Sequence, residues 1–150
     1  MDGIAGASEF QARLGGSFFL DGLADRLFPS LAPGVHWGLE RTEKSLKILG
    51  DPHRSYRTIH VGGTNGKGSV TSTLAAVLET AGFRTGCYTS PHRCSFRERI
   101  CVAGNPLTQD RTLDLAGELM NVPEISGLTF FEAATVLGLY AFEREDVEVA

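Results

Sequence analysis

No apolar run in this sequence approaches the roughly 20 residues that a membrane-crossing helix requires, and the first residues lack the basic-then-apolar order of a secretory signal. Neither a membrane nor an export route is therefore expected, and the simplest address is the cytoplasm. Basic residues are also scarce: 14 Lys and Arg face 18 Asp and Glu, for a net charge of -4. Binding a nucleic-acid backbone draws on clustered Lys and Arg, so no nucleic-acid partner is expected, and any phosphate bound should be small and held locally. Cysteine is limited to Cys87, Cys94 and Cys101, spaced seven apart with no CxxC pair, which excludes a standard zinc site. These read as reduced, structural thiols; the alternative is a reactive thiol at Cys94, which lies in a polar stretch. Internal repeats and low-complexity tracts are missing as well.

What is present is the composition of a folded domain, with 42% apolar and 21% charged residues and a mean hydropathy of -0.04. At 150 residues the chain is long enough for one real core, about 70% of the unfolded surface being buried at that size. Residues 1–16 are rich in Gly, Ala and Ser and read as a flexible start. Residues 17–55 read as a helical lead-in: one helix over Ser17 to Phe28, broken by Pro29, Pro33 and Gly34, and a second over Leu39 to Leu49, stopped by Gly50-Asp51-Pro52.

From residue 56 the pattern changes to alternating strand and helix. Thr58-Ile59-His60-Val61 is a β-branched run that feeds into Gly62-Gly63, and Val70, Leu74, Val77, Leu78 and Ala81 then recur at helical spacing before Gly82. Thr85 to Thr89 is a second strand, at a separation that suits a βαβ crossover in a parallel sheet. Arg99 to Val102 and the turn after it suggest a hairpin. Leu113 to Met120 is a helix with Asp110 as its expected cap, and Thr129 with Glu132 makes a capping box for a helix reaching about Glu143. Val147 to Ala150 reads as a strand just beginning, which leads to the expectation of a truncated α/β domain over residues 56–150.

The segment Gly62-Gly63-Thr64-Asn65-Gly66-Lys67-Gly68-Ser69 carries the chemistry. It lies between a strand and a helix, where backbone N–H groups and the positive helix end converge on phosphate oxygens. Glycines permit that approach, Lys67 would neutralise terminal phosphates, and Ser69 offers a hydroxyl to phosphate or Mg²⁺. The segment departs from the strict P-loop pattern, with Val61 where the first Gly belongs and Gly68 after the Lys. The bland alternative is a glycine-rich turn with an exposed lysine, but turn chemistry alone does not call for four glycines at such a junction. The loop by itself does not say which acceptor receives the phosphoryl group.

Gly63 to Ser69 resembles the P-loop variant of the Mur-ligase superfamily, in its folylpolyglutamate synthase and dihydrofolate synthase branch. Tyr88-Thr89-Ser90-Pro91-His92 with Phe96-Arg97-Glu98-Arg99-Ile100 is similar to that branch's "YTSPH…F.ERI" segment. Thr129-Phe130-Phe131-Glu132 is similar to its "TFFE" helix start, and Gly38-Leu39-Glu40-Arg41 to its "GLER". The matches run in the family's order from about Val35 to Ala150. The resemblance implies an α/β fold with a mostly parallel, Rossmann-like P-loop sheet and flanking helices, of the Mur-ligase central-domain type. It implies ATP- and Mg²⁺-dependent amide formation: a dihydropteroate or folate carboxylate becomes an acyl phosphate, which the amine of L-glutamate attacks.

Carried over residue by residue, Gly63, Thr64, Asn65, Gly66, Lys67, Gly68 and Ser69 would hold ATP, with Lys67 catalytic on the terminal phosphates. Ser90 would be a Mg²⁺ ligand, its hydroxyl being a hard oxygen donor, and Thr129, Phe130, Phe131 and Glu132 would border the pterin or pteroate. Ser90-Pro91 could equally be a simple turn and Thr129/Glu132 a simple helix cap. His92 is left out of the metal set, and His36 and Trp37 are read as packing before they are read as pterin contacts. The partners implied are the small molecules ATP, dihydropteroate or tetrahydrofolate, and L-glutamate, with a monomer expected at full length. Family members run to more than twice this length, so the chain as it stands is expected to bind nucleotide without turnover. The competing readings are a peptidoglycan Mur ligase, which typically has Thr-Thr where Gly68-Ser69 stand, a nucleotide-binding module without ligase activity, and a P-loop kinase or GTPase, whose further motifs are not found.

Overall fold

A computed structural model describes residues 38–150. The helix expected over Ser17 to Phe28, the flexible start over 1–16, the turn after Phe28, and His36 and Trp37 all lie outside the described residues. Within them the chain forms helix α1 (Glu40–Ile48), helix α2 (Lys67–Thr80), strand β1 (Gly86–Tyr88), strand β2 (Ile100–Val102), strand β3 (Asn105–Pro106), helix α3 (Gln109–Met120) and helix α4 (Phe130–Arg144). Short 3-10 turns stand at Pro52–Arg54, Phe96–Arg99 and Pro123–Gly127. Among the described residues no helix is long and apolar enough to cross a membrane.

Helix α4 organises the core. Its face of Ala133, Ala134, Val136, Leu137, Ala141 and Phe142 is buried, and α1, α3 and the Pro52–Arg54 turn pack around it. Tyr56 reaches in from the turn side, donating its hydroxyl to the Leu139 carbonyl at 3.0 Å and meeting Phe142 edge-on with ring centroids 5.9 Å apart. Strand β1 lies against α4 through two glycines: a Cβ on Gly86 would stand 2.6 Å from the Phe142 ring, and one on Gly138 would stand 2.7 Å from the Tyr88 ring. Small residues at both places are what allow strand and helix to approach so closely.

The sheet differs from the one expected. β1 pairs antiparallel with β2 across the loop of residues 89–99, and β2 turns back through Ala103 and Gly104, both at positive φ, to pair antiparallel with β3. Among the described residues, parallel pairing is confined to isolated bridges, Arg57 to Val149 and Thr85 to Val149. The run Thr58 to Val61 is not a strand of the sheet; the Ile59 N–H donates to the Ala150 carbonyl at 2.8 Å, and the Ala150 N–H to the Arg57 carbonyl at 2.8 Å. On its other side, residues 148–149 pair with 84–86 through Glu148 N–H to Arg84 O at 2.8 Å and Gly86 N–H to Val149 O at 2.9 Å. The segment read as an incipient strand therefore runs between the two segments that the crossover reading set side by side. The pairing is too short to form a ladder.

Helix ends agree with the sequence within a residue, whereas α2 begins at Lys67, before the first expected position Val70, and α3 at Gln109, before the expected Leu113; one cap is also corrected. Asp110 does not cap α3: Thr108 stands at that position, its hydroxyl accepting from the Arg111 N–H at 3.2 Å, while Asp110 occupies the first turn. A threonine with extended backbone can place its oxygen under the next turn, whereas a residue already inside the helix cannot. Helix α2 is unlike the others in burying no residue. It leaves a narrow cleft of about 20 Å³, lined by Ile59, Val61, Leu74, Leu78 and Val149 among others, and Val77 is 59% exposed.

Two glycines inside helices should respond to substitution in opposite directions. Gly117 in α3 is exposed with nothing within 4 Å of an added Cβ, so Gly117→Ala should stabilise by about 0.5–1 kcal/mol through helix propensity alone. Gly138→Ala gains the same propensity but must displace the Tyr88 ring, and overpacking of about 1–3 kcal/mol should dominate. Urea unfolding of the two variants beside the parent checks both signs.

Candidate active site

The glycine loop ends at Gly66, which takes φ 76° as the N-cap of α2, and Gly63 takes φ 138°. Side-chain-bearing residues rarely adopt either conformation, so glycine is required at these two places. The N-termini of α3 and α4 are closed by the hydroxyls of Thr108 and Thr129, but α2 has no side-chain cap and no acidic residue in its first turn. The first N–H groups of a helix have no partner within the helix, and here nothing negative competes for them. Residues 62–70 are all exposed, and Cβ atoms built on Gly62, Gly66 and Gly68 would meet nothing within 4 Å. Lys67 folds its ammonium back over the loop, donating to the Gly63 carbonyl and, at 3.2 Å, to the Thr64 carbonyl. A donor-rich, open cradle with one ammonium beside it suits the phosphates of a nucleotide.

The other sequence-predicted residues converge on the start of α4. Thr129 and Glu132 form the reciprocal capping box: the Thr129 N–H and hydroxyl both donate to Glu132 Oε2, at 2.7 and 2.8 Å, and the Glu132 N–H donates back to the Thr129 hydroxyl at 3.4 Å. Arg41 in α1 completes the arrangement, with Nε 3.2 Å from Glu132 Oε1, Nη2 2.8 Å from Oε2, and Nη1 donating to the Gly127 carbonyl at 2.8 Å. Burial pushes the Glu132 carboxyl up, but the Thr129 donors and the Arg41 guanidinium outweigh it and hold the group below its ordinary value. Thr129 and Glu132 are thus buried and fully engaged. Phe130 is half-buried and packs against the core, and Phe131, at 59% exposure, turns its face to solvent.

The segment after β1 is joined to the same place. Ser90 is exposed and precedes a cis peptide bond to Pro91. Below it, Glu98 gathers the N–H groups of Arg93, Cys94 and Ser95 at 2.9, 3.1 and 2.9 Å, and the Arg93 and Ser95 donors hold its carboxyl below the usual range. Arg99, only 6% exposed, has its guanidinium over the Phe130 and Phe96 rings at 5.4 and 5.9 Å and donates from Nε to His92 Nδ1 at 2.7 Å. Burial first, and then the charge of Arg99, push the His92 imidazole down, so it stays neutral and engaged as an acceptor. Among the described residues no cluster of three or more His, Cys, Asp or Glu side chains is placed to hold a metal ion; a serine hydroxyl beside nucleotide phosphates is nevertheless the sparse donor set that Mg²⁺ tolerates, since it keeps several waters.

Sequence reasoning missed Arg41 and Arg99 as the residues that bind these segments together. Arg41 stood within a quoted motif, but nothing in a linear string pairs it with a glutamate 91 positions away.

No family model matches the chain. It is similar to the folylpolyglutamate synthase of Lacticaseibacillus casei, 37% identical over 131 residues that cover 82% of this chain and 30% of that protein. Other curated relatives carry dihydrofolate synthase in their names as well. Among solved structures, folylpolyglutamate synthase from Thermotoga maritima superposes with a TM-score of 0.74 at 37% identity, over 77% of this chain and 29% of that one. The Mycobacterium tuberculosis enzyme, solved in complex with ADP and AMPPCP, gives 0.72 at 33% identity, over 75% of this chain and 27% of that one. The chain spans 14% to 30% of the length of the curated relatives compared.

Acid should reveal the Glu132 arrangement. A carboxyl whose folded pKa is depressed contributes stability that is present above its unfolded value, near 4.3, and is lost as pH falls through the folded value. Glu132→Gln should lower stability at neutral pH by about 1–3 kcal/mol, the cost of unsatisfied partners at a buried site, and should flatten the loss of stability below about pH 5. Denaturant titrations at several pH values check both effects.

Proposed function

The chain belongs to the family of folylpolyglutamate and dihydrofolate synthases, which it matches over 75% to 82% of its length, and we propose that it supplies the nucleotide-binding part of an ATP-dependent ligase joining L-glutamate to a folate or dihydropteroate carboxylate. The observation that carries this reading is the open glycine cradle at the uncapped N-terminus of α2 with Lys67 beside it. When bound, ATP and Mg²⁺ would supply the phosphoryl group and neutralise its developing charge. The residues of this chain do the positioning. Backbone N–H groups from Gly63 to Ser69 orient the phosphates, and Lys67 leaves its internal carbonyl partners for the terminal phosphate oxygens, its ammonium exchanging neutral acceptors for charged ones.

Ser90 offers its hydroxyl as a metal ligand from the loop that Glu98 and Arg99 hold in shape. On the pterin side, the exposed ring of Phe131 is the member of the Thr129–Glu132 group with a free face for a flat heterocycle, offset stacking being the arrangement aromatic rings favour. Thr129 and Glu132 serve that surface by fixing the helix start. The folate carboxylate would attack the terminal phosphorus of ATP, releasing ADP and forming an acyl phosphate, and the glutamate amine would then attack its carbonyl carbon and release phosphate, with placement of the reactants contributing most of the rate. The short parallel pairing of residues 57–59, 148–150 and 84–86 would be the edge of the mostly parallel sheet that such a loop ordinarily crowns. A cytoplasmic setting fits small-molecule substrates of this kind.

Titration of the chain with ATP and Mg²⁺ should show binding that Lys67→Ala weakens by about tenfold or more, that is by at least about 1.4 kcal/mol. In the product of the whole gene, the same substitution should abolish ATP-dependent incorporation of labelled glutamate into dihydropteroate or tetrahydrofolate. Nucleotide binding without any incorporation would leave a binding module and not a ligase. Absence of nucleotide binding by the folded protein would remove the reading altogether.

A further inference from the structure

The antiparallel register sets Cys87 of β1 directly opposite Cys101 of β2. Two residues to either side, the Thr89 N–H donates to the Arg99 carbonyl at 3.1 Å and the Ala103 N–H to the Thr85 carbonyl at 2.9 Å. Hydrogen-bonded pairs recur every second residue in an antiparallel ladder, so the cysteines occupy such a pair, with Cα atoms about 5.5 Å apart. That separation lies within the roughly 4.4–6.8 Å that a disulfide spans, while Cβ atoms of a hydrogen-bonded pair stand about 5.5 Å apart against the roughly 3.5–4.5 Å of a relaxed bridge, so the bond would be strained and readily reduced. Side chains alternate across a strand. Gly86 and Tyr88 face α4, so Cys87 and Cys101 share the opposite face, toward Glu79 of α2, whose carboxylate accepts the Thr85 hydroxyl. All three thiols are free, Cys87 and Cys101 half-buried and Cys94 exposed.

We propose that Cys87 and Cys101 form a reversible dithiol–disulfide site that takes a small-molecule disulfide as its oxidant and staples the base of the loop carrying Ser90. One protein sulfur attacks the oxidant's S–S bond and releases one small thiol. The second protein sulfur then displaces the other, so a Cys87–Cys101 bond forms, the oxidant's bond breaks, and two protons and two electrons pass to two small thiols.

The surroundings favour the uncharged states of the pair. Burial, with Cys101 and then Glu79 nearby, pushes the Cys87 thiol up to about 11, and burial with the Glu98 and Glu79 charges raises Cys101 as well. The pair therefore rests as thiols, and because the thiolate is the attacking species the exchange should quicken as pH rises. The Cys101 thiol donates to the Glu98 carbonyl at 3.6 Å, so the bond would form immediately beneath the residue that organises residues 93–95. The closed loop would enclose Ser90 and its neighbours, and its base would no longer be able to open.

The test uses the Cys94→Ser protein, in which only the pair remains. It is equilibrated with an oxidised and reduced small-thiol couple, quenched with an alkylating agent, and mapped by peptide mass spectrometry. The expected result is loss of both alkylatable thiols, one cross-linked peptide containing residues 87 and 101, no dimer, and full recovery on reduction. In Cys94→Ser/Cys101→Ser, Cys87 should form no intramolecular link and stop at a mixed disulfide with the small thiol, which reduction reverses. Thiols that stay alkylatable under conditions that fully close an exposed dithiol peptide, or cross-links found only between molecules, would overturn the proposal.

Discussion

The carboxylate of Glu132 ties the start of α4 and the turn just before it to α1, 91 positions away in sequence. It closes the first turn of α4 through Thr129, and through Arg41 it fixes α1 and the turn at Gly127. A buried carboxylate is costly to leave unpaired, and Glu132 is tolerated only because hydrogen-bond donors and one guanidinium converge on it. The rest follows from a well-anchored α4: its small and apolar face collects α1, α3 and Tyr56, and its glycine at 138 admits β1. Arg99 repeats the logic from the other side, stacked on Phe130 one residue past the cap. Three of the four motifs that resemble the ligase family are therefore neighbours in one packed unit.

The fourth motif is built differently. The glycine loop and α2 sit against the remainder through few buried contacts, and α2 has no fully buried residue. Its order comes from the backbone, namely positive φ at Gly63 and Gly66 and the self-bonding of Lys67. The two halves of the site thus have different characters. One is held by buried charge and aromatic packing, while the other is open and has donors to spare. Such a division suits a phosphate cradle, where the ligand supplies the missing negative charge.

Much of this was legible in the sequence for a simple reason: helices and caps are local. The spacing of apolar residues placed α1, α2 and α4, and the Thr129/Glu132 pair announced its capping box because all its partners lie within three residues. Asp110 misled because backbone conformation, which the sequence does not display, starts the helix at Gln109 and leaves the capping position to Thr108. The sheet was misjudged where local information ends. The run Thr58 to Val61 has the right residues for a strand, but its pairing depends on residues 148–150, and β1 found its partners in the hairpin that follows it. Arg41 and Arg99 escaped for the same reason, since a charge pair reaching across 91 positions leaves no periodic trace.

The bridge from Arg57 to Val149 also bears on the order in which the chain assembles. Closing a loop costs entropy that grows with the logarithm of its length, so joining residues 57 and 149 should cost roughly 1–2 kcal/mol more than turning the β1–β2 hairpin. That cost is recovered only once α4 has brought both ends within reach. The ground beneath the glycine loop is consequently expected to form after the contacts nearer in sequence. A substitution that weakens α4 would show itself first as a disordered cradle, at a distance from the residue changed.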